Sequence, residues 1–405
     1  MIFCYELKKI FQKKVNLITM LAGYVILMIT TIYPVMSESE YLIQKDLEIN
    51  GVEAVRYHEN FAKNQTGELT EDYVTNVLRE LKESNIDPNT DEGYLTLDDR
   101  YGKLFNYLVK CYQPIGVDRY QPELLLGLDL ENGAQFYERR VQRVRDFVNQ
   151  DFPFGNYTEA EREYWIRKAE AVETPFLWGD TFVAKQYDTV IALAFYLMFV
   201  LAICLSSVFS AEHENGIAGL LLSTKHGQRV LVYTKGLVAY CFGFSYMIVG
   251  YLVSFLWLYF TIGVKGFALP VQLLDSAICY SMNLGQFLLL QMLISLVVCF
   301  FEIALILFLS ALTRSTMGTM TLILAGLIIP AFIPFSKESG LFNHVLALAV
   351  VRMVDLKGCL MSFLDYRIGS VILDLPTVSI LVHIVVALVL ILLLRKTYVR
   401  RSIRA

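Results

Sequence analysis

The stretch Thr189-Val-Ile-Ala-Leu-Ala-Phe-Tyr-Leu-Met-Phe-Val-Leu-Ala-Ile-Cys-Leu-Ser-Ser-Val-Phe209 contains no Asp, Glu, Lys or Arg. A helix needs about 20 mainly apolar residues to cross a ~30 Å hydrocarbon core, so this segment reads as a membrane span. In lipid it can only be helical, because no water is present to satisfy open backbone groups. Five further segments read the same way: 15–36, about 236–262, 287–312 with Glu302 inside it, 317–335 and 375–394. Pro330 and Pro334 predict a kink near the end of the fifth span. The expected fold class is an all-α polytopic membrane protein with six transmembrane helices. Composition agrees, with 55% hydrophobic and 18% charged residues, against roughly 45–50% and ~25% in soluble domains. These values exclude a disordered chain, a fibrous repeat and an ordinary soluble enzyme. A net charge of −4 leaves no basic excess for nucleic acid.

The charge is unevenly placed. Residues 37–185 hold 29 acidic against 17 basic residues, and the rest of the chain 10 against 18. One acidic, water-soluble insert (37–186) therefore interrupts a basic membrane protein (15–36 and 187–395). Lysines and arginines mark the cytoplasmic ends of spans. They cluster at Lys8, Lys9, Lys13 and Lys14, at Lys225, Arg229 and Lys235, at Arg314, and in the tail 396–405. With six spans all four clusters fall on one side. Both termini are then cytoplasmic and the insert extracytoplasmic. The stretch 336–374 contains about 14 mostly apolar residues (341–354), too few to span, and reads as an outer re-entrant segment. A seventh span is the competing reading, and it would put the basic tail outside. The first apolar run exceeds a signal-peptide h-region and no A-x-A-like site follows it, so a retained signal anchor is expected.

Within the insert the periodicity is helical. Val74, Val77, Leu78 and Leu81 share one face, as do Tyr101, Leu104, Phe105, Leu108 and Tyr112, and Tyr137, Val141, Val144 and Val148. Thr158-Glu-Ala-Glu161 is a capping box ahead of Trp165, Ala169 and Val172. Turns are expected at 85–89 and 151–156. The insert thus reads as an all-α domain. Of seven cysteines only Cys111 lies in it, which leaves no disulfide within the insert. Arg139, Arg140, Arg143 and Arg145 read as a solvated face, the alternative being an anion-binding patch. The acidic surface keeps the domain soluble or steers cationic peptides toward it.

Catalytic signatures are missing. The sequence has no phosphate loop, no dinucleotide fingerprint, no H-E-x-x-H, no G-x-S-x-G and no C-x-x-C. No catalytic, cofactor-binding or metal-ligating residue is therefore expected. In residues 1–14, Phe3, Leu7, Ile10 and Phe11 lie on one helical face and Glu6, Lys9, Gln12 and Lys13 on the other. That pattern fits a helix lying in the cytoplasmic interface, with an unstructured basic leader as the alternative. Glu302 sits deep in a span, where a charge is expensive. It either lines a substrate path or gate, or is held by structural hydrogen bonds.

The loop between spans two and three reads Glu212-His-Glu214-Asn-Gly216-Ile-Ala-Gly-Leu220-Leu221-Leu-Ser-Thr-Lys225-His-Gly-Gln-Arg229. A solvated connector has no need of its exposed apolar run, which should dock on a protein or on lipid. With the N-terminal elbow and the outer domain between spans one and two, this segment (210–230) resembles the coupling segment of type-2 ABC exporter permeases, the ABC-2 superfamily. Leu307-Phe-Leu-Ser310-Ala-Leu-Thr-Arg314-Ser315 resembles that family's tight turn into span five, and the re-entrant segment also fits. The resemblance implies that two permease subunits pair and that each coupling segment contacts a separate subunit binding ATP and Mg. Glu212, Glu214, Gly216, Leu220, Leu221 and Arg229 would belong to that contact. The substrate class it implies is an amphipathic peptide, antimicrobial or lipid-like molecule. The rival is a non-transporting sensor or mechanotransmitter whose outer domain acts on an extracellular partner.

Overall fold

The computed structural model describes residues 2–42, 47–84, 86–117, 119–150, 157–224, 227–336 and 340–403. The turn expected at 151–156, Asn85, Lys225, His226 and Arg404 lie outside the described residues, as does the side chain of Arg401. Helix α1 (Ile2–Gln12) leads into α2 (Lys14–Met36). The insert follows: β1 (Ser39–Leu42), β2 (Leu47–Asn50), α3 (Val52–Gln65), β3 (Gly67–Leu69), α4 (Glu71–Ser84), α5 (Asp91–Tyr101), α6 (Lys103–Tyr112), α7 (Leu130–Ala134), α8 (Phe136–Asn149), α9 (Glu159–Glu170) and β4 (Phe176–Trp178). A rod then runs through α10 (Phe182–Leu193), α11 (Phe195–Leu205) and α12 (Ser207–Glu214), followed by the short α13 (Ala218–Ser223). Next come α14 (Val232–Thr261), α15 (Leu284–Thr313) and α16 (Thr316–Phe332). Three short helices, α17 (Gly340–Ala347), α18 (Val350–Met353) and α19 (Leu356–Met361), precede the hairpin β5 (Asp365–Ile368) and β6 (Val371–Asp374). The last helix is α20 (Leu375–Ile403).

The chain is mostly helical, with five helices long and apolar enough to cross a membrane. This is the architecture of an all-α polytopic membrane protein. The five are α2, the α10–α12 rod, α14 with the turn before it, α15, and α20. Ile18, Leu21, Val25 and Ile29 of α2 stay exposed, an apolar face suited to lipid. The expected fifth span is shorter. Helix α16 has 17 residues, about 26 Å at 1.5 Å per residue. It carries Pro330 and ends at Phe332, just before Pro334, because the residue preceding a proline is driven out of the helical region. Pro334 therefore lies just past the helix end, with Pro330 in the last turn.

The second span also starts earlier than its apolar run. The rod begins at Phe182, whose N–H donates to Asp180 Oδ1 at 2.8 Å. Lys185 and Asp188 thus lie inside it, and the boundary placed at 186/187 falls within α10. Residues 340–374 fold as three short helices and a hairpin, the first two helices separated at Leu348 and Ala349. Gln291 of α15 anchors this region: its side-chain amide donates to Val354 O, and its oxygen accepts the Leu356 N–H at 3.0 Å.

In the insert, α4 buries Val74, Val77, Leu78 and Leu81, and α9 begins with the Thr158/Glu161 capping box. Gly102, at φ 53°, divides the stripe from Tyr101 to Tyr112 into α5 and α6. Three two-stranded antiparallel pairs interrupt the expected all-α pattern: β1–β2, β3–β4 and β5–β6. Their strands are three or four residues long, too short for an alternation to stand out. Pairing β3 with β4 joins residues 67–69 to 176–178 and so draws early and late parts of the insert together.

The arginine face is corrected at two of its four members, Arg140 and Arg143, while Arg139 stays exposed and Arg145 lies 3.6 Å from Glu170. Arg140 is buried and donates to three carbonyls, those of Ser276 at 2.9 Å, Ala169 at 2.9 Å and Ile278 at 3.1 Å. Arg143 donates to Ser276 Oγ at 2.8 Å. They are neither a solvated face nor an anion patch, because the acceptors are backbone and hydroxyl groups, most of them in the loop before α15. The insert also grips the hairpin before α20: Trp165 Nε1 donates to Asp365 Oδ2, Tyr157 Oη to Phe363 O, and Lys168 Nζ pairs with Asp374 Oδ2, each at 2.8 Å.

Candidate functional site

The segment 210–230 sits at one end of the helical bundle. Its geometry begins at the break between α11 and α12. A break in a helix leaves backbone N–H groups without intrahelical partners, and here Ser310 of α15 supplies the acceptor. Its Oγ accepts the N–H groups of Phe209 at 3.1 Å and Ser210 at 3.0 Å, and donates to Ser206 O at 2.6 Å. Helix α12 is thereby fixed against α15.

The two glutamates of α12 then part company. Glu212 turns inward and is 5% exposed. Lys235 of α14 lies 2.6 Å from its Oε1, and Tyr398 of α20 donates to its Oε2 at 2.5 Å. Lys235 also donates to Val208 O at 2.8 Å and lies 3.5 Å from Glu6 Oε2 of α1. Glu6 pairs in turn with Lys9 at 2.7 Å. Helices α1, α12, α14 and α20 therefore meet in one buried ionic cluster. Glu6, assigned by its pattern to the polar face of α1, is buried, because Lys235 offers it a charge inside. A cavity of about 350 Å³ opens beside the cluster, bounded by Glu6, Lys13, Asn16, Ser207, Glu212 and Lys235.

Glu214 stays at the surface and binds the next helix along. It accepts from Thr316 N at 2.8 Å and Thr316 Oγ1 at 2.7 Å. Thr316 begins α16, so the carboxylate meets an otherwise open N–H at the positive end of the helix dipole. The turn between α15 and α16 is two residues, with Arg314 at φ 60°.

Gly216 has a local task. It adopts φ 69°, its N–H donates to His213 O, and the Ile217 N–H donates to Glu212 O. This is a Schellman stop, in which glycine takes the left-handed position without a Cβ penalty. The stop redirects the chain into α13, which buries Ala218 and Leu222. Leu220 is left 71% exposed and Ile217 41%. Leu221 is half-buried, and Arg229 is exposed in the turn leading to α14.

The six residues taken from the sequence therefore divide. Glu212 and Gly216 build the junction, Glu214 anchors it to α16, and Leu220 and Arg229 face outward with Ile217, while Leu221 is partly covered. Glu302 is elsewhere, eight residues before Ser310 and so about 12 Å along α15. It is 1% exposed, and neither carboxyl oxygen has a hydrogen-bond partner among the described residues. The residues missed at the sequence level are Glu6, Lys235, Tyr398, Ser310 and Thr316. Lys235 had a visible signal, a lysine at the start of an apolar helix. Tyr398 had none, because its partner lies 186 positions away.

Among the described residues no His, Cys, Asp and Glu group could hold a metal ion. The chemistry available at the junction is mechanical: buried charges join four helices to a short exposed segment. Comparison of the chain with protein-family models, curated proteins and solved structures finds no match.

Proposed function

We propose that this chain is the membrane-spanning permease subunit of an ATP-driven ABC exporter of the type-2 kind. It moves an amphipathic substrate (a peptide, antimicrobial or lipid-like molecule) across the bacterial cytoplasmic membrane. The observation that carries this reading is α13. A short helix holds Leu220 and Ile217 bare while the residues just before it are tied by buried ion pairs to α1, α14 and α20. A push on that face reaches all of these helices. Energy comes from a separate ATP-binding subunit carrying ATP and Mg, and this sequence has no phosphate loop of its own. A second permease subunit completes the path, with membrane lipid around it.

On this reading α16 is the fifth of six transmembrane helices, and its 17 residues are accommodated by local thinning of the bilayer. Both termini and the junction are cytoplasmic and the insert is outside, the orientation that the clustered lysines and arginines favour. The test is affinity purification of the full chain from its native membranes. The wild-type chain should bring down an ATPase, and Leu220→Glu with Arg229→Glu should lose it while still reaching the membrane. Recovery of the intact wild-type chain with no ATPase refutes the proposal.

A second reading is favoured by α20. Its 29 residues cover about 43 Å. One end follows directly from Asp374, which pairs with Lys168 of the insert, and the other carries Tyr398 to Glu212. A single rod from insert to junction suits a non-transporting mechanotransmitter. Substrate accumulation in ATP-loaded vesicles separates the two, because only the exporter produces flux.

A further inference from the structure

A cavity of about 340 Å³ lies where the insert meets the start of α10, between α3, α5, α6, β4 and the loop around residue 274. This volume is within the range of sites for small organic ligands. Tyr57, Phe61, Tyr107 and Trp178 line it. Tyr107 and Trp178 are buried and in ring contact, with centroids 5.2 Å apart.

Three lysines also line the cavity, Lys103, Lys110 and Lys185, and all three are exposed. Each of the cavity's acids makes at least one contact within the chain. Asp180 Oδ1 accepts the Phe182 N–H, Asp275 Oδ1 accepts the Ala277 N–H at 2.9 Å, and Glu40 lies 3.3 Å from His58. Asp180 Oδ2 is buried without a hydrogen-bond partner among the described residues. Burial, and secondarily the Lys103 charge, hold His58 below its ordinary value. Lys103 reaches Asp180 only at 4.0 Å. No hydrogen bond or ion pair engages the Lys110 or Lys185 amine among the described residues. The cavity thus combines an apolar interior with available cations at its edge.

We propose that this cavity binds an amphipathic anion, its apolar body against the Tyr107–Trp178 wall and its carboxylate or phosphate head between Lys103, Lys110 and Lys185. The assignment is independent of the export reading, since it needs neither an ATPase nor flux.

The test uses the full chain in nanodiscs and 11-bromoundecanoate, whose terminal bromine quenches tryptophan at short range. Trp178→Phe supplies the background from Trp165 and Trp257. Wild-type protein should show saturable quenching that Trp178→Phe lacks. The exposed-site variant Lys103→Gln/Lys110→Gln/Lys185→Gln should bind about tenfold more weakly or worse, as should the neutral probe 11-bromoundecanol. Circular dichroism confirms that both variants are folded. Competition by dodecanoate against dodecyl phosphate identifies the head: stronger competition by the phosphate points to a phospholipid-like ligand, and by dodecanoate to an acyl or peptide carboxylate. Equal binding of the neutral and anionic probes, unchanged binding in the triple variant, or no Trp178-dependent quenching overturns the proposal.

Discussion

Replacing Lys235 by methionine removes the one cation between two buried carboxylates. At 2.6 Å from Glu212 and an effective dielectric of ~20, the attraction is about 6 kcal/mol. The 3.5 Å approach to Glu6 adds about 5 kcal/mol on the same scale. Most of this is cancelled by desolvation, which costs several kcal/mol for each buried ion. The intact cluster therefore contributes little net stability. Breaking it is different, since an uncompensated buried charge destabilises by about 3–5 kcal/mol. Lys235→Met should lose that amount in reversible unfolding by dodecyl sulfate in mixed micelles, followed by tryptophan fluorescence. The triple variant Lys235→Met/Glu212→Gln/Glu6→Gln should recover all but about 1 kcal/mol, because the amide oxygen introduced by Glu212→Gln still accepts from Tyr398. If Lys235→Met stays within about 1 kcal/mol of wild type, or if the substitutions are additive, the cluster does not couple these helices. With stability restored in the triple variant, any remaining loss of ATPase stimulation reports on the charges themselves.

Three further outcomes are expected. Burial pushes the Asp365 carboxyl up to about 6, with the Trp165 N–H opposing the shift. The native state then binds this proton more tightly than the unfolded chain, whose Asp titrates near ~3.9. Stability should fall as pH rises from about 4 to 6 and stay low above that. Asp365→Asn should raise Tm above pH 6 and leave it unchanged below pH 4, and parallel Tm curves for the two proteins would refute the assignment. Arg140→Met strips three carbonyls of their donor and should cost about 2–4 kcal/mol, with hydrogen exchange rising selectively at residues 276–281. Glu302→Leu replaces a carboxyl that makes no hydrogen bond among the described residues, so unfolding stability should be unchanged or higher. A fall in ATP-driven flux at intact stability would then assign the carboxyl to the path, whereas a loss above ~2 kcal/mol means that it is bonded.

The spans were legible because lipid imposes a rule that composition alone can satisfy: about 20 apolar residues in a row. The stripe of α4 and the cap of α9 were legible for a similar reason, since both are local patterns at helical spacing. Helix ends were less so. Asp180 starts α10 seven residues before Thr189, where the charge-free run begins, and a window that counts apolar residues excludes Lys185 and Asp188. Arg140 shows a deeper limit. Four arginines in seven positions look solvated until a loop 136 residues later supplies carbonyls. Burial of a charge is decided by its partner, and the partner was distant.

The glutamate pair of the junction is different, because its division follows from helix geometry. Residues i and i+2 on a helix point about 200° apart and do not share a face. Once α12 extends to Glu214, Glu212 and Glu214 cannot form one acidic patch for a partner. One of them must face the bundle, and a buried carboxylate then needs a cation. Lys235, at the head of the next long apolar helix, supplies it at 2.6 Å. The other carboxylate stays at the rim, where the open N-terminus of α16 is its natural neighbour. With Glu212 held inside, Glu214 bound to Thr316 and Gly216 committed to the stop, the side chains of this segment left exposed include Ile217, Leu220 and Arg229. On the export proposal, a partner on that face meets apolar side chains and a cation, so the surface complementary to it is an apolar groove with an acidic edge.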